Sequence, residues 1–373
     1  MRIGITCYPT YGGSGIVATE LGLELAHRGH EVHFISYAYP IRLDTDTPGI
    51  YYHEVEVSSY PLFQYPPYVM ALASRMAEVA ERHHLDLLHM HYAIPHSTAA
   101  LLARQMTTAR FLPYITTLHG TDITIVGADP SYYRATKFSI EQSDGITTIS
   151  EYMRARTVEF FQVQSPIRVI HNFINSSLYK PNEQSRDRGR KRILHISNFR
   201  PVKRVLDCIY VFAKVRKELD AELVMAGDGP DRGPAERLAR ELGIDTHIRF
   251  LGKQDHMERL IPRMDALHLP SEMEAFGLAA LEAMACGVPP VATRTGGVPD
   301  LITHEVDGFM EEVGNHDAQA SRLLQLLTNE TLHHRMATAA RHSAVTRFGT
   351  ELIIPQYEAY YQQICESGGT REV

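Results

Sequence analysis

Apolar runs along this chain alternate with longer segments in which apolar residues recur at helical spacing. Continuous apolar runs are typical of strands buried on both faces, and the helical segments between them indicate the crossover helices of a parallel sheet. The first half of the chain is predicted to form strands at 2–7, 31–36, 85–89, 114–118 and 145–149, and helices at 16–28, 68–82 and 98–106. This alternation predicts a doubly wound α/β domain.

The alternation stops at residues 176–191, a polar, charged stretch with the composition of a linker. A second β/α series follows, with strands predicted at 192–197, 221–226, 248–251, 266–269 and 288–293. We therefore predict two Rossmann-like domains, residues 1–175 and 192–350, with a C-terminal helix at about 351–373 that joins the first. Ligands of open α/β sheets bind at the carboxyl ends of the strands, so a cleft between the domains is the expected site.

Composition narrows the class of protein. The formal net charge of −7 over 373 residues leaves no electrostatic footprint for nucleic acid. The sequence lacks an apolar run long enough to cross a bilayer, and the N-terminus enters a strand without signal-peptide architecture. The four cysteines are far apart and indicate neither disulfides nor a zinc site. We expect a cytoplasmic protein without integral membrane association, with the histidine pairs at 83–84 and 333–334 on solvated surface.

Two carboxylates stand out in the second half of the chain. Glu274 and Glu282 are separated by seven residues that are all apolar or glycine, and Gly277 lies where a helix can begin. Glu274 is thus predicted in a loop and Glu282 inside a mostly apolar helix. An ionised acid in apolar surroundings is costly unless it has a partner, so Glu282 requires either a nearby Lys or Arg or a ligand with hydroxyls.

Glycine-rich and polar segments follow the predicted strands of the first domain. Gly12-Gly13-Ser14-Gly15 opens a helix, where backbone amides favour a phosphate, although a plain tight turn explains the same glycines. Its spacing does not fit a nicotinamide-binding fingerprint. His119, followed by Gly-Thr-Asp, ends another strand, and the segment 91–96 occupies the equivalent place after the preceding one.

Two loops of the second domain are also suited to phosphate. Residues 197–204 carry Arg200, Lys203 and Arg204 between a strand and a helix, and Thr295-Gly296-Gly297 ends the last predicted strand. Cations and backbone amides at such positions neutralise a diphosphate, while a solvated basic loop is the alternative. A diphosphate that carries sugars satisfies these loops and the two acids together.

These segments resemble one enzyme family over nearly the whole chain. The segment 274–289 is similar to the two-glutamate motif of the retaining GT-B glycosyltransferases of family 4, and the segments 4–15, 89–96, 116–124 and 195–204 resemble the members that transfer GlcNAc from UDP-GlcNAc to L-malate. The resemblance implies a GT-B fold of two Rossmann-like domains facing across a cleft, and the first step of bacillithiol biosynthesis. It implies no cofactor and no metal, and leaves homo-oligomer formation open.

The resemblance also implies roles for single residues. Glu282 would bind the ribose hydroxyls of UDP, and Glu274 the transferred sugar. Relatives more often have Arg at positions 198 and 137, where this chain has Asn and Lys. The implied catalytic residues are His119, Lys203 and Glu274; the donor-binding residues are Gly13, Gly15, Asn198, Arg204, Phe276, Gly277, Leu278 and Glu282; the acceptor-binding residues are Ser14, Tyr92, Thr117, Arg134 and Lys137.

For the mechanism, the resemblance favours attack on the face that the diphosphate leaves, with the β-phosphate accepting the proton of malate. Three alternatives remain: a family 4 enzyme with a lipid or another polyol as acceptor, a UDP-sugar epimerase of GT-B fold, and a non-catalytic nucleotide-sugar-binding module. The helix predicted at 68–82 carries few cations, which disfavours a membrane-facing enzyme. The presence of both glutamates, His119 and Lys203 disfavours a binding module.

Overall fold

The computed structural model describes residues 1–10, 12–58, 60–62, 64–107, 111–127, 129–182 and 189–368, without the side chains of residues 122, 125 and 368. It divides into two compact units, one of Met1–His171 with Ile353–Val373 and one of Asn172–Leu352. Among the described residues, no helix is long and apolar enough to span a membrane.

The first unit is built on a seven-stranded sheet whose described pairings are all parallel, in the order β3-β2-β1-β4-β5-β6-β7. The order steps outward from β1 in both directions, which is the doubly wound arrangement. The strands are β1 Arg2–Thr6, β2 Glu31–Ser36, β3 Ile50–Glu54, β4 Leu87–His91, β5 Tyr114–Leu118, β6 Gly145–Thr148 and β7 Ile167–Val169. The helices are α1 Gly13–His27, α2 Tyr68–His83, α3 Thr98–Met106, α4 Pro130–Glu141 and α5 Glu151–Phe161, with π-helical turns at Ala93–Ser97 and Asp122–Val126.

The second unit contains a six-stranded sheet in the order β10-β9-β8-β11-β12-β13, also parallel. Its strands are β8 Lys191–Ile196, β9 Ala221–Ala226, β10 Ile248–Gly252, β11 Ala266–Leu269, β12 Pro290–Thr293 and β13 Phe309–Glu311. Its helices are α6 Val205–Glu218, α7 Arg232–Glu241, α8 Met257–Leu260, α9 Leu278–Ala285, α10 Val298–Leu301, α11 His316–Thr328 and α12 Glu330–Phe348, with 3₁₀ turns at Pro201–Lys203, Asp245–His247 and Ile261–Arg263.

The last helix, α13 (Thr350–Gly368), begins in the second unit, and most of its residues belong to the first. Its tyrosines enter the first unit's interior: Tyr357 and Tyr361 are fully buried, and the Tyr360 hydroxyl accepts a hydrogen bond from the Ile146 amide at 3.1 Å. A Cβ at position 145 would lie 2.8 Å from that hydroxyl, so β6 begins with Gly145 because the tyrosine needs the space. The helix thus covers β6.

The segment predicted as a linker does not begin as one. The second unit starts at Asn172, before the predicted boundary, and Tyr179 is 1% exposed within it. Residues 183–188 of the predicted linker lie outside the described residues, and β8 begins at Lys191. The polar composition therefore belongs to the second part of the stretch, whereas its first part packs into the second unit.

Several predicted bounds shift in the structure. Strand β4 is Leu87–His91 instead of 85–89, so His91 is the last residue of the strand and not the first of the loop. Helix α1 begins at Gly13, three residues earlier than predicted, and ends just before Gly29, whose φ of 90° is the left-handed conformation of a helix C-terminus. Three of the four edge strands, β3, β7 and β13, were not predicted, whereas the fourth, β10, was predicted at 248–251.

Candidate active site

In the first unit, the glycine-rich loop after β1 leads directly into α1. A Cβ at position 15 would lie 2.6 Å from the Tyr8 carbonyl oxygen, so the close approach of this backbone requires Gly15. Gly12, by contrast, has open space around its Cα. One glycine of the motif is thus explained by the turn, while the exposed Gly13 and the amides of the first turn of α1 remain suited to a phosphate.

Ser14 and Tyr92, both predicted to bind the acceptor, come together in the structure. The Ser14 hydroxyl lies 3.5 Å from the Tyr92 hydroxyl, which in turn donates to Thr121 Oγ1 at 3.3 Å. Tyr92 has a φ of 98°, a conformation that costs free energy in a residue with a Cβ and is found mostly at functional sites. Three hydroxyls after β1, β4 and β5 thus form one polar chain, of the kind that binds a carboxylate or hydroxyl.

His119 follows β5 and belongs to a buried cluster of imidazoles. Its Nε2 lies 2.8 Å from His91 Nδ1, and its ring stacks on Tyr92 at a centroid distance of 5.7 Å. Burial, with His96 as a further cause, lowers the pKa of His119 to about 3, and burial lowers the pKa of His91 well below its ordinary value. Because both rings are therefore neutral near pH 7, His119 offers a hydrogen bond to a substrate and no positive charge.

Thr117, the third predicted acceptor residue, lies in the interior of the first unit. It is fully buried, and its hydroxyl bonds to His89 Nε2 and to Thr147 Oγ1, each at 2.6 Å. His89 Nδ1 in turn lies 2.7 Å from the Tyr361 hydroxyl of α13. The described contacts of Thr117 are with this interior chain, which holds β4, β5 and β6 in register behind His119.

Arg134 and Lys137, the predicted acceptor cations, lie one turn apart on α4. Arg134 is exposed, while Lys137 is half-buried and its Nζ lies 3.7 Å from Glu141 Oε1. An ion pair of this kind on a helix surface contributes only about 0.3–0.5 kcal/mol. The ammonium group of Lys137 therefore loses little when it turns to an anionic ligand.

In the second unit, two predicted catalytic residues are in direct contact. Lys203, in the 3₁₀ turn after β8, places its Nζ 2.6 Å from Oε1 of Glu274, which also accepts a hydrogen bond from the Ser271 hydroxyl at 2.8 Å. Glu274 is 9% exposed. A carboxylate at this depth requires such partners. The pair places a cation and an acid side by side after β8 and β11.

The loop after β12 supports Glu274 from behind. The Gly297 amide donates to the Glu274 carbonyl oxygen at 2.9 Å, and Gly296 has a φ of 55°. A Cβ at position 296 would lie 1.8 Å from that same oxygen, an impossible contact, so the loop reaches Glu274 only because residue 296 is glycine. The two segments that appear separate in sequence therefore form one structural feature.

Asn198 and Arg204 flank Lys203 and differ in their partners. The Asn198 Oδ1 atom is buried without a hydrogen-bond partner among the described residues. Arg204 Nε donates to Asp207 at 2.7 Å, a contact that raises the pKa of Arg204, and its Nη1 lies 3.6 Å from Glu272. The Arg204 charge is thus already balanced by two acids.

The start of α9 presents backbone groups rather than side chains. The Phe276 side chain is 2% exposed and packs edge-on against Phe348 at 5.5 Å. Gly277 has a φ of 99° and precedes Leu278, the first residue of α9. The first amides of a helix have no partner within it, so the amides at 277 and 278 are suited to binding oxygen atoms of a ligand.

Glu282, one turn further along α9, is 6% exposed. Its Oε1 accepts a hydrogen bond from the Tyr179 hydroxyl at 3.0 Å. The segment that carries Tyr179 is fixed by Arg341 of α12, which donates to the carbonyl oxygens of Ser176, Tyr179 and Ala285. Sequence reasoning left open a Lys or Arg partner or a hydroxyl ligand, and the structure adds a hydroxyl from the chain itself.

Sequence reasoning missed the residues that orient the predicted site: His89 and His91 behind His119, Tyr361 of α13, and Tyr179 with Arg341 beside Glu282. Their partners are far away in the chain, so no local motif reports them. The one available signal was the pair of histidines in the apolar strand β4, because a buried imidazole requires a hydrogen-bond partner.

Comparison with known proteins identifies the family of the chain. A family model described as glycosyltransferase family 4 matches residues 11–178, and one described as glycosyl transferases group 1 matches residues 179–343. The N-acetyl-alpha-D-glucosaminyl L-malate synthase of Bacillus anthracis is 47% identical over 371 residues, which cover 98% of this chain and 97% of that protein. The chain belongs to the family 4 glycosyltransferases. It is therefore an enzyme of glycosyl transfer, as the two-glutamate motif predicted.

Solved structures confirm the predicted GT-B class of fold for this glycosyltransferase. A glycosyltransferase from Rickettsia africae has a TM-score of 0.81 and 21% identity, with 97% of this chain and 98% of that chain covered. Anabaena Alr3699/HepE, solved in complex with UDP and glucose, has a TM-score of 0.80 and 18% identity over 97% of this chain and 99% of its own. Each of the two parallel-sheet domains is Rossmann-like.

Proposed function

We propose that this family 4 glycosyltransferase transfers GlcNAc from UDP-GlcNAc to the hydroxyl of L-malate with retention of configuration, the first step of bacillithiol biosynthesis. The contact between Lys203 Nζ and Glu274 Oε1, 2.6 Å, carries the donor half of this proposal. It joins a diphosphate cation to an acid suited to sugar hydroxyls. The 47% identity to the malate synthase supports the acceptor half.

The proposed reaction needs little covalent chemistry from the protein. The bond between the anomeric carbon and the diphosphate oxygen breaks, and the malate hydroxyl oxygen bonds to the anomeric carbon on the same face. The proton of that hydroxyl passes to the β-phosphate. Lys203 and the amides near Gly15 and Gly297 stabilise the charge that develops on departing UDP. Glu274, His119 and the amides at 277 and 278 orient the sugar, so catalysis rests on positioning and electrostatics.

In the acceptor half, malate is a small dianion that requires donors and a cation. Ser14 and Tyr92 supply hydroxyls, and Lys137, with Arg134 one turn earlier, supplies positive charge. Lys137 is a point charge without the bidentate fork of an Arg. We therefore assign to Lys137 a single charge-assisted hydrogen bond to one malate carboxylate.

The proposal is tested by incubating the enzyme with UDP-GlcNAc, with and without L-malate, while UDP release and the sugar products are measured. Release of UDP that depends on malate, together with an α-linked GlcNAc-malate product, is the expected result. Release that requires a lipid or another polyol would select the alternative acceptor. An altered sugar formed without acceptor would select the epimerase, and no turnover with any acceptor would contradict catalysis.

The substitution Lys137→Ala is expected to raise the KM for malate about 10- to 100-fold and to change the KM for UDP-GlcNAc less than twofold. The reason is the loss of a charge-assisted hydrogen bond to the acceptor, about 1.5–3 kcal/mol. Steady-state kinetics with each substrate varied in turn measures both constants.

The matched control is Glu141→Gln, which removes the partner of Lys137 on α4 and keeps the cation. This variant should bind malate at least as well as the wild type, because the ammonium group is no longer shared. An equal rise of both Michaelis constants in Lys137→Ala, or a weakening of malate binding in Glu141→Gln as large as in Lys137→Ala, would contradict the assignment.

A further inference from the structure

Three histidines of the first unit form a cluster away from the residues discussed above. His33 lies on β2, His53 on the edge strand β3, and His83 is the last residue of α2. Their rings are in mutual contact, with centroid distances of 4.6 Å between His33 and His83, 5.1 Å between His53 and His83, and 5.2 Å between His33 and His53. Three separate elements therefore bring three imidazoles to one point.

The nitrogen atoms of these rings are close enough for one ion. His33 Nδ1 lies 2.9 Å from His53 Nε2, and one nitrogen from each of the three residues falls within 4.8 Å of the others. Two nitrogens bound to one tetrahedral zinc ion are about 3.3 Å apart, since each bond is about 2.0–2.1 Å long. The separation of 2.9 Å between His33 and His53 is thus close to that of two nitrogens bound to one ion.

His33 is the most deeply buried member of the cluster. His33 is 1% exposed, and its Nε2 is buried without a hydrogen-bond partner among the described residues. Burial lowers the pKa of His33 to about 3 and that of His53 to about 4, so both rings are neutral near pH 7, the form that binds metal ions. The pair 83–84 was predicted on solvated surface. His84 is exposed, but the prediction is wrong for His83, which is half-buried against the other two rings.

We propose that His33, His53 and His83 form a binding site for a divalent transition-metal ion of the zinc class. Imidazole nitrogens suit zinc, copper, nickel and iron, while magnesium and calcium require oxygen ligands. Three protein ligands leave a fourth position for water. Within the described part of the chain, this is the one group of three or more potential ligands with this spacing.

The surroundings of the cluster are mixed in charge. Arg2 faces His33, and Arg75 and Arg82 face His53. The positive charges of these arginines disfavour the binding of a cation. Glu78 lies beside His53 and pairs with Arg75 at 2.7 Å and Arg82 at 3.7 Å. The affinity must therefore come from the three imidazoles, which makes it sensitive to the removal of any one of them.

The site is separate from the proposed chemistry and goes beyond it. The cluster is carried by β2, β3 and α2, whereas the candidate acceptor residues follow β1 and β4 or lie on β5 and α4. A bound ion would tie the edge strand β3 to α2 and stabilise this side of the sheet. We expect it to raise the melting temperature and leave the glycosyl-transfer rate unchanged.

The test uses the full-length enzyme, freed of any histidine tag and of metal, titrated with ZnCl₂ in a calorimeter. Wild type is expected to bind one equivalent, and His83→Ala and His53→Gln to bind it at least about 10- to 100-fold more weakly, the loss that even indirect partners of a metal ligand cause. His84→Ala, the neighbouring histidine outside the cluster, is the matched control and should bind as wild type does. Far-UV circular dichroism of the metal-free variants verifies folding, and His53→Gln decides alone if His83→Ala does not fold.

Absence of saturable uptake by wild type would overturn the proposal, as would retention of wild-type affinity in either folded cluster variant. A companion measurement separates this result from the proposed function. Enzyme treated with EDTA should melt at a lower temperature than the zinc-loaded enzyme while it transfers GlcNAc at the same rate. Loss of transfer with EDTA would contradict both the separateness of this site and the metal-free mechanism.

Discussion

Lys203→Ala is expected to lower kcat about 10²- to 10³-fold, with a smaller effect on the KM for malate. The cation is proposed to stabilise charge that appears on the β-phosphate only as the glycosidic bond breaks, and removing one such preorganised donor typically costs this much. The substitution also leaves Glu274 without the cation 2.6 Å away, although the Ser271 hydroxyl still donates to it. Single-turnover kinetics with saturating UDP-GlcNAc measures the chemical step directly.

The matched control is Lys214→Ala. Lys214 lies on α6 in the same unit and forms an exposed ion pair with Asp317 at 2.7 Å, so this variant removes a lysine and an ion pair without touching the proposed site. It should retain wild-type kcat. Lys203→Arg keeps the charge and should lose less activity than Lys203→Ala. A kcat within threefold of wild type in Lys203→Ala would contradict the proposed role of Lys203 in stabilising the departing UDP.

The central strands of both sheets could be predicted from sequence alone. The bounds of β2, β5, β9 and β11 agree with the structure to the residue, because strands buried on both faces give short, mostly apolar segments that are separate from the helical pattern. The edge strands β3 and β7 give a weaker signal. In β3 only Ile50 is buried and in β7 no residue is, so neither shows the apolar run of a strand buried on both faces.

The structure brings together two candidate site residues that the sequence presents separately. Lys203 and Glu274 were assigned from separate motifs, and the structure places them in contact across 71 residues of sequence. The need for glycine at position 296 was not predictable, because it comes from the nearby carbonyl oxygen of Glu274 and not from a local turn. Contacts between residues that are far apart in the sequence depend on the fold, which a single motif does not encode.

The stretch 176–182 shows why composition misleads at a domain boundary. Its polar residues are typical of a linker, yet Tyr179 is buried and its hydroxyl donates to Glu282, 103 residues away. The partner that anchors the stretch, Arg341, lies on α12. One buried aromatic residue and one distant cation thus outweigh the polar composition, since burial of a tyrosine with its hydroxyl bonded stabilises the packed state.

Glu282→Gln is expected to raise the KM for UDP-GlcNAc about tenfold to a hundredfold without changing the anomeric configuration of the product. The carboxylate is proposed to accept hydrogen bonds from the ribose hydroxyls, and bonds to a charged acceptor are worth about 1.5–3 kcal/mol. Gln has the same shape and keeps one acceptor oxygen, so the Tyr179 hydrogen bond survives. The substitution therefore tests the contribution of the negative charge of Glu282 alone.

Two further variants separate nucleotide binding from stability. Tyr179→Phe removes only the hydroxyl that donates to Glu282 at 3.0 Å, and it should raise the donor KM by a smaller factor than Glu282→Gln, because the carboxylate is less well oriented but still charged. Glu222→Gln, at a half-buried glutamate paired with Arg192 at 3.2 Å in the same unit, is the matched control and should leave the donor KM unchanged.

The anomeric configuration of the product shows whether Glu282 only binds the ribose or takes part in the bond-breaking step. If the carboxylate only binds ribose, every turnover of Glu282→Gln still proceeds by attack on the face that UDP leaves, and proton NMR of the product shows the α-anomer alone. A β-linked product, or a loss of kcat that saturating UDP-GlcNAc does not restore, would place Glu282 in the bond-breaking step. The expected pattern is a raised donor KM, a kcat within about threefold of wild type and full retention, since uniform binding affects KM and not the chemical barrier.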